Sequence, residues 1–572
     1  MKKFKFLAAP LLAAAALLMA SAASAQSVTI LVGSSGGFNS FALAAINGTS
    51  PVCGANIWTN KSSDTTKTAH AHGIDARSSF GVPSEGGNVW IAWDNGTTPT
   101  TICAYFSVDS VVGQRLFFGT NGSANGTLTI DPGATSQTGD QAVPYVNDLA
   151  VTLPTAVYNA LNGTNFTAAV SDIRPEDALY ANLRAFVSCN GSCATDTSKS
   201  GLGYGPYPVG QAVQSTWSNT SAKVVAYSIS GQDPITQSTI PAYVTTPVGA
   251  YPVMIFANVV TAPSTTGAQD FNKVIPNNIT SHAAATIWSG YSTRTTDVTG
   301  VLATGSPLNV VEREPVSGTF NTFEWQVVRA KGTVLSQEIG VNPANSGCFV
   351  GGTTPSECGN PFYHVASNGA TRSRAIGTGE EVSETSALAN SLGYAFWSFS
   401  TYNGKTNLHY LQLDDVDPLF ANYGTGVFPT CTGTAPNITC TAVPFTNIIN
   451  GGYRAWNIIR IVSPTPVPAG VTSLLAAAQT QASTTLPDFV PYSQLAVFRS
   501  HYGIPPIAVT GGGTITVVTG NPFNGTNQTA IGSFPAHYEN GGDMAGAIFP
   551  VQADVDFSLD NGAGHQLTGY IQ

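Results

Sequence analysis

Residues 308–320 read LNVVEREPVSGTF, and their order prescribes a strand, a turn and the start of a helix. The run LNVV carries Leu308 and the β-branched Val310 and Val311, as a buried strand requires. Pro315 cannot donate to a strand ladder, and Ser317 stands where an N-cap belongs, ahead of a helix over 320–330 whose apolar face is Phe320, Phe323 and Val327. Arg313 closes the strand with a planar guanidinium fork suited to a tetrahedral oxyanion. Ser317, Gly318 and Thr319 then offer a hydroxyl, an uncovered backbone and a second hydroxyl at a helix N-terminus, where N–H groups and the helix dipole favour negative charge. The stretch reads as an anion cradle. A capped helix beside a surface arginine is the plainer reading of the same residues.

The same grammar opens the chain. Residues 28–32 (VTILV) read as a strand, Gly33-Ser34-Ser35-Gly36-Gly37 as a turn, and 38–46 as a helix. The turn satisfies Gly-x-Ser-x-Gly, with Ser35 as the hydroxyl of a nucleophile elbow, and it equally delivers free N–H groups to an anion. Further along, strands are expected at 252–260, 308–313, 393–399 and 453–462, and helices at 153–161, 176–185, 281–289, 381–392, 471–481 and 492–501. Strands alternating with helices define an α/β fold. Between 50 and 150 the segments 88–93 (NVWIAW), 104–112 and 115–118 (RLFF) alternate and are split by Asn-Gly and Pro-Gly turns, which predicts a β-rich insertion. From about residue 510 the Gly-, Thr- and Asn-rich tail predicts short strands and loops.

Of the 572 residues only 9% are charged and 42% are hydrophobic, which excludes a coiled coil or an acidic disordered tail. With 22 basic against 32 acidic side chains the net charge is -10, so a chain-wide attraction to nucleic acid or anionic membrane is excluded and any anion must be held by a local site. Lys2, Lys3 and Lys5, an apolar run over 7–20, and Ala23-Ser24-Ala25 ahead of Gln26 read as a secretory signal peptide over 1–25, too short for a membrane span. Export suits the eight cysteines, which fall into four near pairs: Cys53 with Cys103, Cys189 with Cys193, Cys348 with Cys358, and Cys431 with Cys440. Neither these spacings nor His70-Ala71-His72 complete a metal ligand set, and no metal or cofactor is expected.

The Arg-x-x-x-Ser-Gly-Thr run resembles the phosphate loop of the periplasmic phosphate-binding proteins of ABC transporters, the PstS-like family. Five further stretches are similar to that family's segments in the same order: GSSGGF at 33–38, FTAAVSD at 166–172, ITSHAAATIWSG at 279–290, EEVSETSALANSLGYAF at 380–396, and 453–462. The resemblance spans about residues 28–500. The family's serine in a Gly-Ser-Ser-Gly-Gly turn has no counterpart at the matching place, where Thr152 stands in, and the threonine of its first loop is replaced by Gly37.

The resemblance implies a two-lobed periplasmic-binding-protein-like α/β fold with the β-rich insertion in the first lobe. Lobe one would take residues 26–262 and again 450–572, and lobe two residues 263–449. Phosphate would be held by Gly37, Phe38, Thr152, Asp172, Arg313, Ser317, Gly318 and Thr319. Asp172 would accept the proton of hydrogen phosphate, which sulfate cannot offer. The implied protein is a non-enzymatic monomer, periplasmic or secreted, capturing inorganic phosphate or a related oxyanion for an ABC permease. The alternatives are a secreted serine hydrolase using Ser35, and a surface or matrix protein that keeps the fold without the ligand. For Asp172, an ion pair with Arg174 or an Asx cap ahead of Pro175 is the plainer role.

Overall fold

In a computed structural model the described residues are 26–60, 71–74, 85–118, 126–135, 143–146, 152–173, 243–259, 269–313, 317–328 and 370–499, apart from isolated positions, with short strand pieces between 507 and 568. The signal peptide, the helix expected at 176–185, most of the tail, and the pairs Cys189–Cys193 and Cys348–Cys358 lie outside them.

The fold is mixed α/β around a 15-stranded sheet. At its centre run β1 (Ser27–Ser34), β5 (Thr101–Val108) and β8 (Ala168–Ser171), with β1 parallel to both neighbours. Beyond β5 the sheet is extended antiparallel by β4 (Glu85–Trp93), which also pairs with β2 (Asn56–Thr59), and then by β3 (Ala71–Ile74), β6 (Thr127–Ile130) and β7 (Thr164–Asn165). On the other side of β8 lie two long antiparallel strands, β13 (Trp456–Pro464) and β9 (Tyr243–Asn258). A second parallel cluster follows: β12 (Ser391–Phe396) antiparallel to β9, then β10 (Asn309–Arg313) and β11 (Thr371–Ala375).

The 16-residue β9 sets the geometry of everything else. Its first half pairs with β13, from Tyr243 against Pro464 to Pro252 against Trp456, and its second half pairs with β12, from Val253 against Phe396 to Ala257 against Leu392. The two parallel clusters run in opposite directions, so both point their carboxyl ends at the middle of β9, at Pro252 and Val253. Such an arrangement needs a strand buried on both faces, and every residue of β9 from Val248 to Asn258 is buried.

The 50–150 stretch is β-rich, yet β5 and the helix after it belong to the centre of the fold. Residues 115–118, which alternate like a strand, lie in helix α2 (Ser110–Phe118). Helix α1 (Ser35–Ile46) covers one face of β1 with Phe41 and Ala45 against Leu31, while Val112 and Leu116 of α2 cover Ile30 and Val32 on the other. Close approach is enforced by glycine: a Cβ on Gly113 would overlap the Gly33 backbone, and Gly33 itself needs a φ of +137°. The helix expected at 492–501 is instead a single 3-10 turn, Tyr492–Gln494, and a strand, Val497–Arg499.

Among the described residues two disulfides are formed, Cys53–Cys103 and Cys431–Cys440, as an oxidising compartment permits. Among the described residues no helix is long and apolar enough to cross a membrane.

A buried carboxylate joins α1 to the turn after β12. Asp488 accepts from Ser40 Oγ at 3.1 Å and from the Phe399 N–H at 2.8 Å. Burial pushes its carboxyl from 3.8 up to about 7, against the opposing pull of the donors on Phe399, Ser40 and Ser398. The folded chain therefore holds this proton more tightly than the unfolded chain. Stability should be greatest below about pH 4 and fall as pH rises towards 7, by about 4 kcal/mol for this group. Asp488→Asn keeps an acceptor for Phe399 and a donor for Ser40, so it should raise the urea midpoint at pH 8 while changing it little near pH 4. A variant that tracked the parent at both pH values would contradict this.

Candidate functional site

Five strands, three from one parallel cluster and two from the other, end towards one place, and each contributes a polar residue at or shortly past its last position: Ser35 after β1, Asp109 and Ser110 after β5, Asp172 after β8, Arg313 on β10, and Thr378 after β11. Carboxyl ends of parallel strands are where α/β sheets hold ligands, because the following helices present their N-termini there.

Arg313 is the centre of the group and is 1% exposed. Its Nη1 donates to Thr319 Oγ1 at 3.2 Å and to Thr378 Oγ1 at 3.0 Å, its Nη2 lies 3.6 Å from Asp109 Oδ1, and its backbone N–H donates to Tyr394 Oη at 3.2 Å. Tyr394 is fixed in turn by stacking on Phe323 at a centroid separation of 3.9 Å. A buried guanidinium needs this much support, since desolvating a charge is costly unless its donors are used.

Asp172 faces Arg313 from the other cluster. Its Oδ1 accepts from Ser110 Oγ, and its backbone carbonyl accepts from Asn457 Nδ2 at 2.7 Å, while the same amide nitrogen reaches Thr322 Oγ1 at 3.1 Å. Its Oδ2 is buried with no hydrogen-bond partner among the described residues. Burial raises the carboxyl from 3.8 to about 6, opposed by the Ser110 hydrogen bond, the Asp172 backbone and the charges of Arg313 and Arg460. Near neutral pH it is chiefly an ionised acceptor with one oxygen unsatisfied.

Gly318, the first residue of the helix α5 (Gly318–Phe323), packs directly on this carboxyl: a Cβ there would overlap Asp172. Ser317 occupies the N-cap, buried, but its side chain does not close the cap. Gly37 and Phe38 lie buried in the first turn of α1. A Cβ on Gly37 would come 3.1 Å from Tyr105 Oη, and the Phe38 ring meets the Tyr105 ring edge-on at 5.7 Å.

Thr152 is exposed and has no hydrogen bond to the group. Ser110 stands at the start of α2, the helix after β5, and its Oγ donates to Asp172 Oδ1. Asp109, Ser110 and Thr378 are members that the sequence reading did not select. Arg174 lies outside the described residues, so the alternative ion pair with it does too.

Ser35 is the first residue of α1 and has no positive φ. Its Oγ lies 3.1 Å from Thr378 Oγ1 and accepts from the Thr378 N–H at 3.3 Å, so its partner is a threonine and not a general base. Among the described residues no group of three or more His, Cys, Asp or Glu is placed to hold a metal ion.

The fold and site together define a class: an α/β chain with a buried Arg313–Asp109 ion pair, and Asp172 nearby, where two strand clusters meet. No family model matches the chain, and the curated proteins contain no significant match. Among solved structures it is similar to a high-affinity periplasmic phosphate-binding protein, PfluDING, bound with phosphate, at 12% identity and a TM-score of 0.31, covering 82% of this chain and 90% of that one. It is also similar to PstS from Borrelia burgdorferi, at 10% identity and 0.27, covering 82% and 99%. A third is a phosphate ABC transporter substrate-binding protein from Clostridium perfringens, with bound phosphate, at 13% and 0.25, covering 44% and 71%. At these scores the likeness fixes neither family nor ligand.

Proposed function

We propose that the chain is an exported, non-enzymatic solute-binding protein that holds inorganic phosphate, or a closely related oxyanion, between two lobes and passes it to an ABC-type permease. The lobes would be residues 26–262 with 450–572, and residues 263–449, following removal of residues 1–25. The observation that carries this reading is the buried Arg313 at the meeting point of five strand ends, with helix N-termini around it and an unsatisfied carboxylate oxygen on Asp172 opposite. A guanidinium and helix dipoles supply the attraction for an anion, and the carboxylate demands a proton from it. Hydrogen phosphate brings that proton and sulfate does not, so sulfate would leave two sets of buried lone pairs facing each other. Gly37, Phe38, Ser110, Ser317, Gly318 and Thr319 would complete the pocket. The hydrolase reading is disfavoured by the Thr378 partner of Ser35.

Titration calorimetry with phosphate and with sulfate tests the reading. Wild type should bind phosphate and reject sulfate, while Asp172→Asn should narrow the gap between them by about tenfold or more, chiefly by admitting sulfate, as an unpaired buried acceptor costs roughly 1–3 kcal/mol. Equal discrimination in both proteins would remove Asp172 from the pocket.

A further inference from the structure

Helix α6 spans Gly377–Ala387, and Thr378 lies in its first turn. Its first-turn amide at Thr378 is satisfied by Ser35 Oγ, 343 positions away, at 3.3 Å. The two hydroxyls also lie 3.1 Å apart, and Thr378 Oγ1 continues the chain to Arg313 Nη1 at 3.0 Å and thence to Thr319 Oγ1 at 3.2 Å. Ser35 belongs to the β8–β1–β5 cluster and Thr378 to the β11–β10–β12 cluster, so the chain of hydrogen bonds joins the two clusters. Thr378 is 4% exposed and its bond to Arg313 is buried, while the bonds to Ser35 are partly buried.

We infer that Ser35 and Thr378 form a hydroxyl latch between the two strand clusters, capping α6 in trans and holding the Arg313 guanidinium in place, so that breaking it speeds both the opening of the cleft and the release of a bound anion. The effects on opening and on release rest on the two-lobed oxyanion reading above, whereas the effect on amide exchange at the starts of α1 and α6 rests on the contacts alone. Only one hydroxyl proton is used between the pair, whichever oxygen donates, and the other is left to turn towards an anion beside Arg313. Thr378 is a positioning residue in this scheme. A hydroxyl at 378 is required and its methyl group is not.

The full chain is tested as Thr378→Val, Thr378→Ser, Ser35→Ala and the double variant Ser35→Ala/Thr378→Val. Hydrogen exchange in phosphate-free buffer should show the first turns of α1 and α6 exchanging about three- to tenfold faster in Thr378→Val and in Ser35→Ala, the scale of one or two net hydrogen bonds. Thr378→Ser should stay close to wild type, and the double variant should cost less than the sum of the two single ones, since both remove the hydroxyl–hydroxyl link, whereas the Thr378 N–H bond is lost only with Ser35→Ala and the Arg313 acceptor only with Thr378→Val. Stopped-flow release of inorganic phosphate should quicken by a similar factor in Thr378→Val with the association rate nearly unchanged. Unchanged exchange in α1 on Thr378→Val, or failure of Thr378→Ser to restore it, would overturn the latch. Faster exchange in a protein that binds no phosphate would uphold the latch and sink the oxyanion reading.

Discussion

Arg313→Ala should weaken phosphate binding by about ten- to a hundredfold, because charge-assisted hydrogen bonds contribute roughly 1.5–3 kcal/mol each and this is the cation placed at the meeting of the strand ends. Affinity for arsenate should fall with it. The same substitution should also destabilise the protein, since it removes the guanidinium 3.6 Å from the Asp109 carboxylate at a place where Asp109 is only 3% exposed. Breaking a buried pair from one side costs about 3–5 kcal/mol. The pH response provides a separate signature. Arg313 is among the charges that pull the Asp172 carboxyl down, so its loss should let that group titrate higher still. A raised carboxyl favours the folded state at low pH and loses that advantage as pH rises through its folded value. The variant should therefore lose more stability than wild type between pH 5 and 8, as read by urea denaturation. Arg313→Lys separates charge from geometry: it keeps a cation near Asp109 and loses the fork, so stability should recover further than affinity. If phosphate affinity survives Arg313→Ala unchanged, the cradle does not hold the anion.

The difference between the legible and the illegible parts of this site is one of range. The strand at 308–313 and the Ser-Gly-Thr start of the next helix could be read locally, because β-branched residues, a proline and a capping serine are each near-neighbour signals. The structure places Asn309–Arg313 and Gly318–Phe323 there, with a π-helical turn, Glu324–Val328, in place of the expected regular ending. Residues 110–118 show the opposite case. Val111, Val112, Phe117 and Phe118 favour a strand by propensity, yet the segment is helical because Gly113 seats it against Gly33, and Gln114 Nε2 bonds both Ser171 Oγ at 2.9 Å and the Ile173 carbonyl. These partners come from β1 and from the end of β8, so no local window contains them. Read as strand, residues 104–112 give Asp109 and Ser110 no helix start to occupy, whereas Thr152, which precedes a locally legible helix, is exposed. The signal that was available was Val108-Asp109-Ser110 closing an apolar run four residues before Gly113, the same strand–turn–helix order as at Gly33. Thr378 had no such signal. Its partners, Ser35 and Arg313, are 343 and 65 positions away.

Gly318→Ala, the smallest possible change at the site, is expected to be among the most damaging. The first turn of α5 and the Asp172 carboxyl meet so closely that a methyl group at 318 would occupy the volume of the carboxyl itself. Both neighbours are constrained. Asp172 is tied through its side chain to Ser110 and through its carbonyl to Asn457, and α5 is wholly buried from Gly318 to Phe323. The conflict cannot be relieved by a side chain swinging into solvent, so either Asp172 leaves its position or the two clusters separate at this point. Overpacking of this kind costs about 1–3 kcal/mol in stability. The loss in binding should be larger, because Arg313 and the unsatisfied Asp172 oxygen must face one anion together, and displacing either by an ångström forfeits hydrogen bonds whose strength depends steeply on distance and angle. Thermal denaturation and phosphate calorimetry on Gly318→Ala should therefore show a modest drop in midpoint with phosphate affinity lowered by tenfold or more, on the order of one lost charge-assisted bond. Gly37→Ala provides the contrast: its added methyl would come 3.1 Å from the Tyr105 hydroxyl and meet neither Arg313 nor Asp172, so affinity should fall much less. Equal losses for the two alanines would mean that general tightness, and not the contact between Gly318 and Asp172, governs the pocket.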